Sequence, residues 1–584
     1  MSRLEIASPK KAKIVMEGLY KDLERRIESS PPGLCPVDMA RAFLELCHAQ
    51  TCGKCVPCRI GLGQLNNFIR EVLDGKATMK TLDIMEQTAL SIMESADCAI
   101  GYEAANMVYK GLIGYRDDYI EHIQNGRCTC TYNQPVPCVS LCPAHVDIPG
   151  YIALVGEGRY ADAIRLLRKD NPFPTTCGFI CEHPCEARCR RNMVDDSINI
   201  RGLKRVAADF AGEVDPPQCA PSTGKKIAIL GGGPGGLSAA YYLQLMGHQT
   251  TVYEMLPELG GMLRYGIPNY RLPKERLDDD IRAILKTGVQ VEYGKKIGQD
   301  ITIQDLREQY DAVLITIGAS TDKKLGLEGE DADGVISAVQ FLRDVGKDEA
   351  LDLTGKEVAV VGGGNVSMDA VRTAKRLGAK KVSIVYRRRV ADMTALPAEI
   401  EGAIAEGIEV QTLKAPASLD IDENHHIKGM YVTPQMISEI KGGRASVKAT
   451  GEPDQYIPCD ILVVAIGQNI ETDHFAEAGI PVERGKIVTT AGGDFLDMPG
   501  VFAGGDCASG PATVIKAIAA AKVVAANIDE YLGYHHEISC DVEIPKASLH
   551  DRVPCGRAEL TEREACERAV SYTHLRAHET DSYL

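Results

Sequence analysis

Residues 226–254 read KIAILGGGPGGLSAAYYLQLMGHQTTVYE, and this stretch decides the fold of the larger part of the chain. A short apolar run leads into glycines that satisfy the pattern G-x-G-x-x-G, and the alanine-rich segment 237–246 predicts a helix after them. Thr250–Tyr253 then predicts a second strand. In such a unit the glycines allow a tight turn and close approach of a pyrophosphate, and an acid after the second strand binds a ribose. The pattern predicts a dinucleotide site at Gly231, Gly233, Gly236 and Glu254.

A second unit of the same kind starts at Val358–Val361, which leads into GGGNVS at 362–367. Ser367 replaces the third glycine, which leaves the phosphate loop usable. The following strand ends in Tyr-Arg-Arg-Arg at 386–389, where a site for NAD would place an acid. Guanidinium groups form bidentate bonds with a 2′-phosphate, and the alternative is a solvated charge run. We expect NADP(H) to bind at Gly362, Gly364, Asn365, Arg387 and Arg388.

Composition sets outer limits on function. The chain has 584 residues, 45% hydrophobic and 25% charged, and a net charge of −16, which argues against nucleic-acid binding. The sequence has no apolar run long enough for a membrane span and no apolar core for export near its start. We therefore expect a cytoplasmic protein without membrane insertion.

Twenty cysteines require an explanation other than disulfides, because the cytosol keeps thiols reduced. The string TCGKCVPCR at 51–59 gives C-x2-C-x2-C, and Cys98 follows at a distance. Three closely spaced thiolates and a remote fourth are typical of [4Fe–4S] ligation, and a structural zinc site is the alternative. We expect this cluster at Cys52, Cys55, Cys58 and Cys98. Cys35 and Cys47 fall outside the pattern and are expected to be packed thiols.

A second group of eight cysteines lies between residues 128 and 189. Its members are Cys128, Cys130, Cys138, Cys142, Cys177, Cys181, Cys185 and Cys189. Eight thiols in two regularly spaced sets are the right number for two [4Fe–4S] clusters. One amphipathic stretch, 148–168, is predicted between the two sets.

Both cysteine blocks resemble known iron–sulfur domains. The string TCGKCVPCRIG with Cys98 resembles the iron–sulfur domain of the NADH-binding subunit of complex I, and 138–189 resembles the N-terminal domain of the glutamate synthase small subunit. That second resemblance implies interleaved ligands: Cys128, Cys130, Cys138 and Cys189 for one cluster, and Cys142, Cys181 and Cys185 for the other. Relatives often use a Glu or Gln ligand in the segment matching 200–206, where Lys204 cannot serve because a protonated ammonium has no lone pair. We therefore predict Cys177 as the fourth ligand.

The nucleotide-binding part resembles flavoproteins with two dinucleotide folds. ELGGML at 258–263 and VFAGGD at 501–506 resemble the FAD sites of that family. The resemblance implies that Gly261, Gly505 and Asp506 contact FAD, and that Thr513 and Val514 lie beside the isoalloxazine at a helix start. The strings at 313–318 and 462–467 match the crossings between the two folds. Cys507 is expected to be a packed thiol, because no second cysteine is near it.

The predicted fold class is an α/β two-dinucleotide-binding, Rossmann-like flavoprotein body preceded by two mainly α-helical iron–sulfur domains. The expected domains are a helical cluster domain at 1–125, a helical domain with two clusters at 126–220, a split FAD-binding domain at 225–334 and 468–536, an inserted NADPH-binding domain at 335–467 and an extension at 537–570. Residues 571–584 resemble translated adapter sequence rather than protein, with an ordinary frayed tail as the alternative.

These resemblances imply an NADPH-dependent oxidoreductase with FAD and three [4Fe–4S] clusters. Hydride passes between nicotinamide and flavin without a side-chain acid or base, so no catalytic residue is predicted. We expect a subunit of a transhydrogenase-type complex whose partner is a complex I-like or ferredoxin-like electron-transfer subunit. A soluble NADPH:iron(III) oxidoreductase beta subunit and a glutamate synthase small subunit are the alternatives.

Overall fold

The computed structural model describes most of the chain. The described residues are 35–125, 136–187, 189–193, 196–347, 349–441, 444–490, 492–495, 497–545, 557–558 and 564–568. They divide into two compact units. The first unit comprises 1–142, 183–200 and 549–558, and the second comprises 143–182, 201–548 and 559–584. The domain boundaries proposed from the sequence remain a prediction.

The first unit is helical. Its helices are α1 (Pro36–Ala49), α2 (Leu62–Leu73), α3 (Met79–Ser95), α4 (Ala99–Gly114), α5 (Arg116–Asn125) and α6 (Pro137–Leu141), with the short α10 (Pro184–Ala187) returning later in the chain. A single π-helical turn, Pro57–Gly61, precedes α2. Phe43, Leu65 and Tyr119 are fully buried between these helices, and burial of such large apolar side chains is the main stabilising contribution to a small bundle.

Helices also begin the second unit. They are α7 (Ile148–Gly156), α8 (Tyr160–Asp170), α9 (Pro174–Ile180) and α11 (Ile200–Phe210). The single amphipathic stretch predicted at 148–168 was wrong, because α7 and α8 are separate helices. Gly158 has φ +70° between them. A left-handed residue of this kind ends a helix, and glycine adopts that conformation without strain.

The first glycine unit lies in a five-stranded parallel sheet of order β18-β4-β1-β2-β3. Its strands are β1 (Lys226–Leu230), β2 (Gln249–Glu254), β3 (Gln290–Tyr293), β4 (Ala312–Ile315) and β18 (Val501–Ala503). Ile227 of β1 pairs with Ala312 of β4, and Val501 of β18 pairs with Val313. Helices α12 (Pro234–Leu245), α13 (Met262–Tyr265), α14 (Lys274–Leu285) and α15 (Ile303–Gln309) connect these strands.

The chain leaves this sheet after β4, builds a second parallel sheet, and returns at β18. The second sheet has the order β6-β14-β7-β8-β9. Its strands are β6 (Val335–Ser337), β7 (Glu357–Val361), β8 (Lys381–Tyr386), β9 (Glu409–Thr412) and β14 (Ile461–Val464), with helices α16 (Ala338–Gly346), α17 (Asn365–Arg376) and α18 (Pro397–Ala405). Two Rossmann-like sheets in one unit confirm the predicted fold class of this part.

An antiparallel sheet that the sequence had not indicated lies between β9 and β14. It contains β10 (Lys414–Ile421), β11 (Ile427–Lys441), β12 (Arg444–Ala449) and β13 (Gln455–Pro458). The remaining elements are β5 (Thr321–Asp322), β15 (Gln468–Asn469), β16 (Val482–Glu483), β17 (Lys486–Ile487), α19 (Asp473–Glu477), α20 (Asp506–Ser509), α21 (Val514–Tyr531) and α22 (Ala565–Arg568). No helix within the described ranges is both long and apolar enough to cross a membrane.

Buried ion pairs join the segment that follows α13 to the helix α17 of the second sheet. Arg271 Nη1 lies 2.8 Å from both carboxylate oxygens of Asp369, and its Nε lies 3.2 Å from Glu399. The hydroxyl of Tyr270 donates to the carbonyl of Asp369 at 3.4 Å. Breaking such a pair on one side leaves a buried charge uncompensated, so the contact fixes how the two sheets are arranged.

Candidate functional site

The first glycine loop forms a tight cradle between β1 and α12. Gly231 has φ +106°, and a Cβ at Gly236 would lie 1.9 Å from the carbonyl oxygen of Gly231. A Cβ at Gly261 would lie 2.9 Å from the Cα of Gly233. Each of these positions therefore requires glycine, and the two loops together leave room for a phosphate group near the start of α12.

Glu254 lies at the end of β2 and lines the same cavity as Gly231 and Gly233. Its Oε2 accepts a hydrogen bond from the backbone N–H of Gly232 at 2.7 Å, and its Oε1 accepts one from Leu256 at 2.8 Å. Burial raises the pKa of Glu254, while these backbone donors act in the opposite direction. The carboxylate thus holds the glycine loop in place beside the predicted ribose position.

The far end of this cavity is formed by the segment after β18. Gly505 has φ +75°, and both it and Asp506 line the cavity. Burial raises the pKa of Asp506 to about 6, opposed by a hydrogen bond from the backbone of Ala512. Thr513 and Val514 stand at the start of α21. The lining of the cavity includes Ala517 of that helix rather than these two residues.

The sequence interpretation missed several polar residues of this cavity. Lys296 and Glu471 line it and form an ion pair at 3.0 Å, and His474 and Arg343 also contribute. Arg343 donates to the carbonyl of Ser320 at 2.6 Å. These residues come from segments far apart in the chain, so no local motif could have indicated them.

The second glycine loop forms a separate cavity beside β7 and β8. Gly362 has φ +151°, and a Cβ there would lie 2.3 Å from the carbonyl oxygen of Ala465. Gly364 and Asn365 line the cavity with Gly362. Ser367, the small residue at the third position of the pattern, is buried in α17, and its Oγ has no hydrogen-bond partner among the residues described.

The three arginines after β8 have different environments. Arg389 donates to Asp392 at 2.8 and 3.1 Å. Arg388 donates from Nε to the carbonyl of Ala445 at 2.6 Å, and Arg387 is exposed. Both Arg387 and Arg388 line the cavity. Arg387 is thus the guanidinium best placed to bind an anionic ligand group.

A second pair of cations lines this cavity from another segment. Lys323 and Lys324 follow β5, and both contribute to the lining. Two adjacent lysines soon after the crossing at 313–318 are visible in the sequence, but nothing local shows that they face the second glycine loop. The cavity therefore has cationic side chains from two segments, which suits a ligand with several phosphates.

Asn365 joins the glycine loop to the cysteine-rich part of the second unit. Its Nδ2 donates to Glu182 Oε1 at 2.7 Å, and its Oδ1 accepts from the backbone N–H of Leu396 at 2.9 Å. Glu182 follows directly after Cys181 in the sequence. The start of α17 is therefore tied to a predicted cluster ligand through one side chain.

The first predicted cluster site brings its four cysteines together in the first unit. Burial and, to a smaller extent, the neighbouring thiols of Cys55, Cys98 and Cys52 together raise the pKa of Cys58 to about 12. Burial would also raise the pKa of Cys55, but hydrogen bonds from backbone N–H groups and from Cys58 lower it overall. Backbone N–H groups directed at thiols stabilise thiolates.

The surroundings of Cys58 fit an iron–sulfur cluster. A Cβ at Gly101 would lie 2.5 Å from the Sγ of Cys58, so only glycine leaves this sulfur accessible. Cys47 is fully buried, and burial raises its pKa to about 12. The Sγ of Cys35 lies 3.3 Å from His122 Nε2. Cys47 lies in the helical core of the first unit, which also contains Cys58, and Cys35 packs against that core.

The second cysteine group is divided between the two units. In the first unit, burial and the thiols of Cys189 and Cys142 together raise the pKa of Cys138 to about 11, while backbone hydrogen bonds act in the opposite direction. Cys185 is also buried there. Cys128 and Cys130 lie outside the described residues.

In the second unit, Cys177 and Cys181 are buried together. The pKa of Cys177 is raised well above its usual value by a hydrogen bond with the Cys181 thiol and by complete burial. Asn171 Nδ2 is buried without a partner among the described residues, and the Oδ1 of the same amide lies 3.9 Å from Cys177 Sγ. Thiols beside an unsatisfied donor fit a group with several sulfur acceptors. Cys507 is fully buried and donates to the carbonyl of Gly504 at 3.2 Å, so it is a packed thiol.

Comparison with protein families assigns each part of the chain. Residues 225–521 match the pyridine nucleotide-disulphide oxidoreductase family. Residues 38–122 match the iron–sulfur binding region of the NADH-ubiquinone oxidoreductase F subunit. Residues 114–215 match domain II of dihydropyrimidine dehydrogenase, which carries 4Fe-4S clusters. Binding of FAD, NAD(P) and [4Fe–4S] clusters follows from these matches.

Curated proteins are similar to this chain over two thirds of its length or more. The NADP(+)-dependent formate dehydrogenase subunit beta of Moorella thermoacetica is 35% identical over 566 residues, covering 84% of this chain and 79% of that protein. The NADPH-Fe(3+) oxidoreductase subunit beta of Geobacter sulfurreducens is 33% identical over 590 residues, covering 94% and 86%. The glutamate synthase [NADPH] small chain of Escherichia coli is 32% identical over 418 residues, covering 68% and 88%. The chain therefore belongs to the pyridine nucleotide-disulphide oxidoreductase family, as an NADP(H)-dependent FAD and iron–sulfur oxidoreductase subunit.

Proposed function

We propose that this chain exchanges electrons between NADP(H) and a partner subunit through FAD and three [4Fe–4S] clusters. Bound FAD would supply hydride exchange with the nicotinamide and single-electron exchange with the clusters. No acid or base from the protein is required for the hydride step. The residues of this chain supply binding, orientation and a suitable electrostatic environment.

The observation that carries this proposal is the hydrogen bond between Asn365 and Glu182. It ties the loop proposed to bind NADP(H) directly to the segment that holds Cys181, within one compact unit. The proposed two-electron nucleotide site and the proposed one-electron cluster site are therefore joined by one side-chain hydrogen bond.

Individual residues have distinct proposed roles. Gly231, Gly233, Gly236, Gly261, Gly505 and Asp506 form the FAD cradle, with Glu254 at its ribose, and Thr513 and Val514 near the flavin ring. Gly362, Gly364 and Asn365 hold the pyrophosphate of NADP(H), and Arg387 and Arg388 bind its 2′-phosphate. The proposed cluster ligands are the twelve cysteines named from the sequence.

The partner is proposed to be a subunit that carries a flavin or a ferredoxin-type cluster and docks on the first unit. Two of the similar proteins are named as beta subunits, which supports assembly with another chain. Free thiolate ligands need a reducing compartment, which favours the cytoplasm. Direct reduction of a soluble acceptor such as iron(III) is the second candidate, favoured by the similarity to the Geobacter protein over 94% of this chain.

Two anaerobic measurements test the proposal. NADPH added to the purified chain should bleach the flavin absorbance, and the clusters should then become reduced, as followed by electron paramagnetic resonance. Affinity purification from the native host should recover a flavin- or ferredoxin-type subunit in fixed ratio. A chain that isolates alone and reduces iron(III) with NADPH at full rate would favour the second candidate, and flavin that NADPH fails to reduce would contradict both.

A further inference from the structure

Lys323 lies on the wall of the second cavity, beside Gly467. The short strands β5 and β15 pair antiparallel, with Asp322 opposite Gln468, and Asn469 Nδ2 donates to the carbonyl oxygen of Asp322 at 2.9 Å. The next position in this register brings Lys323 opposite Gly467. A Cβ at Gly467 would lie 3.5 Å from the Cδ of Lys323, so the stem of the lysine runs along this glycine.

The segment that contains Gly467 adjoins the second glycine loop. The backbone N–H of Ala465 donates to the carbonyl oxygen of Val361 at 2.8 Å, and a Cβ at Gly362 would lie 2.3 Å from the carbonyl oxygen of Ala465. Gly467 follows Ala465 by two residues, a span of at most about 7 Å. A lysine beside Gly467 can therefore reach a phosphate group bound at the glycine loop.

The backbone on either side of Lys323 is held in place. Before it, β5 is paired with β15. After it, the carboxylate of Glu330 accepts hydrogen bonds from the backbone N–H groups of Leu325 at 3.1 Å and Leu327 at 3.0 Å. Leu325 and Leu327 also line the cavity. Since the backbone is already ordered, a ligand has to immobilise only the side chain of Lys323, which lowers the entropic cost of binding.

The glycine loop lacks a cation of its own. A pyrophosphate is negatively charged on both phosphates, whereas the loop offers backbone N–H groups and Asn365, whose Nδ2 lies 2.7 Å from the carboxylate of Glu182. The arginines after β8 are proposed to bind the 2′-phosphate. Lys323 is exposed and forms no ion pair within the described ranges, so its charge is available to a ligand.

We propose that Lys323 binds the pyrophosphate of NADP(H) from the side of the cavity formed by residues 465–467. The inference rests on the proposed function, because it requires NADP(H) in this cavity. Lysine acts on phosphate as a point charge on a flexible stem, which suits a group held otherwise by backbone donors. Lys323 then contributes to the affinity for the coenzyme with or without a 2′-phosphate, whereas Arg387 determines the preference for NADPH.

Isothermal titration calorimetry of the full chain, loaded with FAD, tests this assignment with two ligands. NADP⁺ contains the pyrophosphate, whereas 2′-AMP has the adenosine and its 2′-phosphate only. In Lys323→Met, which keeps an apolar stem, NADP⁺ should bind about tenfold more weakly, as expected for the loss of a charge-assisted contact. The affinity for 2′-AMP should change by less than about twofold, since that ligand has no pyrophosphate. Arg387→Ala should weaken the binding of both ligands.

Lys380→Met is the matched control. Lys380 is also exposed, but it precedes β8 and so lies at the amino end of the strand, whereas the glycine loop follows the carboxyl end of β7. It is not among the described residues that line the cavity. The Lys380→Met chain should bind both ligands as tightly as the wild type.

The possible failures give different results. Unchanged NADP⁺ binding in Lys323→Met, at full FAD content, would overturn the inference. Equal weakening of NADP⁺ and 2′-AMP in that variant would also overturn it, because Lys323 would then act at the 2′-phosphate. If the proposed function itself fails, the wild-type chain binds neither ligand.

Discussion

Asn365 Nδ2 lies 2.7 Å from Glu182 Oε1, and this hydrogen bond connects the second glycine loop with the residue that follows Cys181. The same amide accepts from Leu396, so it also positions the loop that closes over Gly363, whose carbonyl accepts from Thr394 at 2.9 Å. We expect Glu182→Ala to weaken NADP⁺ binding about fivefold, the loss of roughly one hydrogen bond of about 1 kcal/mol. The change in flavin absorbance on titration with NADP⁺ measures this.

Glu182→Gln is the matched control for that prediction. A glutamine oxygen still accepts from Asn365 but carries no charge near the predicted phosphates, so NADP⁺ should bind as tightly as to the wild type or more tightly. Equal weakening in both variants would show that the charge of Glu182, rather than the hydrogen bond, supports the loop.

The arginines after β8 predict the coenzyme preference. Arg387→Ala should lower kcat/KM for NADPH by about tenfold to a hundredfold, since a charge-assisted bond to phosphate contributes about 1.5–3 kcal/mol. The value for NADH should change by less than about twofold, because NADH has no 2′-phosphate for a charge-assisted bond. Arg389→Ala is the control: its guanidinium is already occupied by Asp392, and its loss should leave the NADPH preference in place. Steady-state kinetics with both coenzymes would contradict the assignment if Arg389→Ala had the larger effect.

Substitution of Gly101 by alanine is expected to remove one cluster and to leave the flavin in place. The Cβ of Gly101→Ala would lie 2.5 Å from Cys58 Sγ, so we expect loss of about four iron atoms per chain with unchanged FAD content. Alanine otherwise favours a helix interior over glycine by about 1 kcal/mol, so poor helix formation would not explain the loss.

The control for this defect is Gly156→Ala, at the end of α7, where an added Cβ meets nothing within 4 Å. Iron and flavin analysis of both proteins should show a deficit only in the first. A full iron complement in Gly101→Ala would place the cluster away from Cys58.

The buried imidazole of His248 is expected to make the folded chain less stable at acidic pH. It is buried at the start of β2, with Nε2 2.8 Å from Asp529 Oδ1, and burial lowers its pKa although Asp529 opposes this. The unfolded chain therefore takes up a proton near pH 6.5 that the folded chain resists, and stability should fall as the pH drops below that value. The urea midpoint of the second unit, compared at pH 7.5 and 5.5, measures the effect.

His248→Gln retains an N–H for Asp529 but cannot titrate, so the midpoint should depend less on pH over this range. His535 provides a contrast of opposite sign, because Glu530 raises its pKa and favours the charged form in the folded state. His535→Gln should therefore make the acid-induced loss slightly steeper. A flatter profile for His535→Gln than for His248→Gln would contradict this account.

The sequence predicted those features that depend on neighbouring residues. The two glycine loops and the strands before them are local patterns with a strict stereochemical cause, such as the positive φ at Gly231. The coenzyme contacts of the arginines after β8 stay a prediction. The sequence did not indicate the break between α7 and α8, because the apolar period continues across Gly158.

Contacts between segments that are far apart in the chain could not be predicted from the sequence. Nothing near Glu182 indicates that it meets Asn365, and the approach of Lys323 to the second glycine loop depends on how two sheets pack. The antiparallel strands β10–β13 carry no glycine pattern of the kind that marks β1 and β7, so the sequence did not indicate them, although β11 alone spans 15 residues. Burial of Lys204 likewise follows only from how α11 lies on the cysteine segment.

The ion pair between Arg271 and Asp369 has a consequence for turnover. Swinging one sheet away from the other would separate two charges that are 9% and 5% exposed, at a cost of several kcal/mol before any new contact formed. The two sheets are therefore expected to keep one arrangement during turnover, while the nucleotide binds and leaves and electrons move between the cofactors. The turnover rate is then limited by exchange of the coenzyme and by electron transfer out of the chain, rather than by a hinge motion between the two sheets.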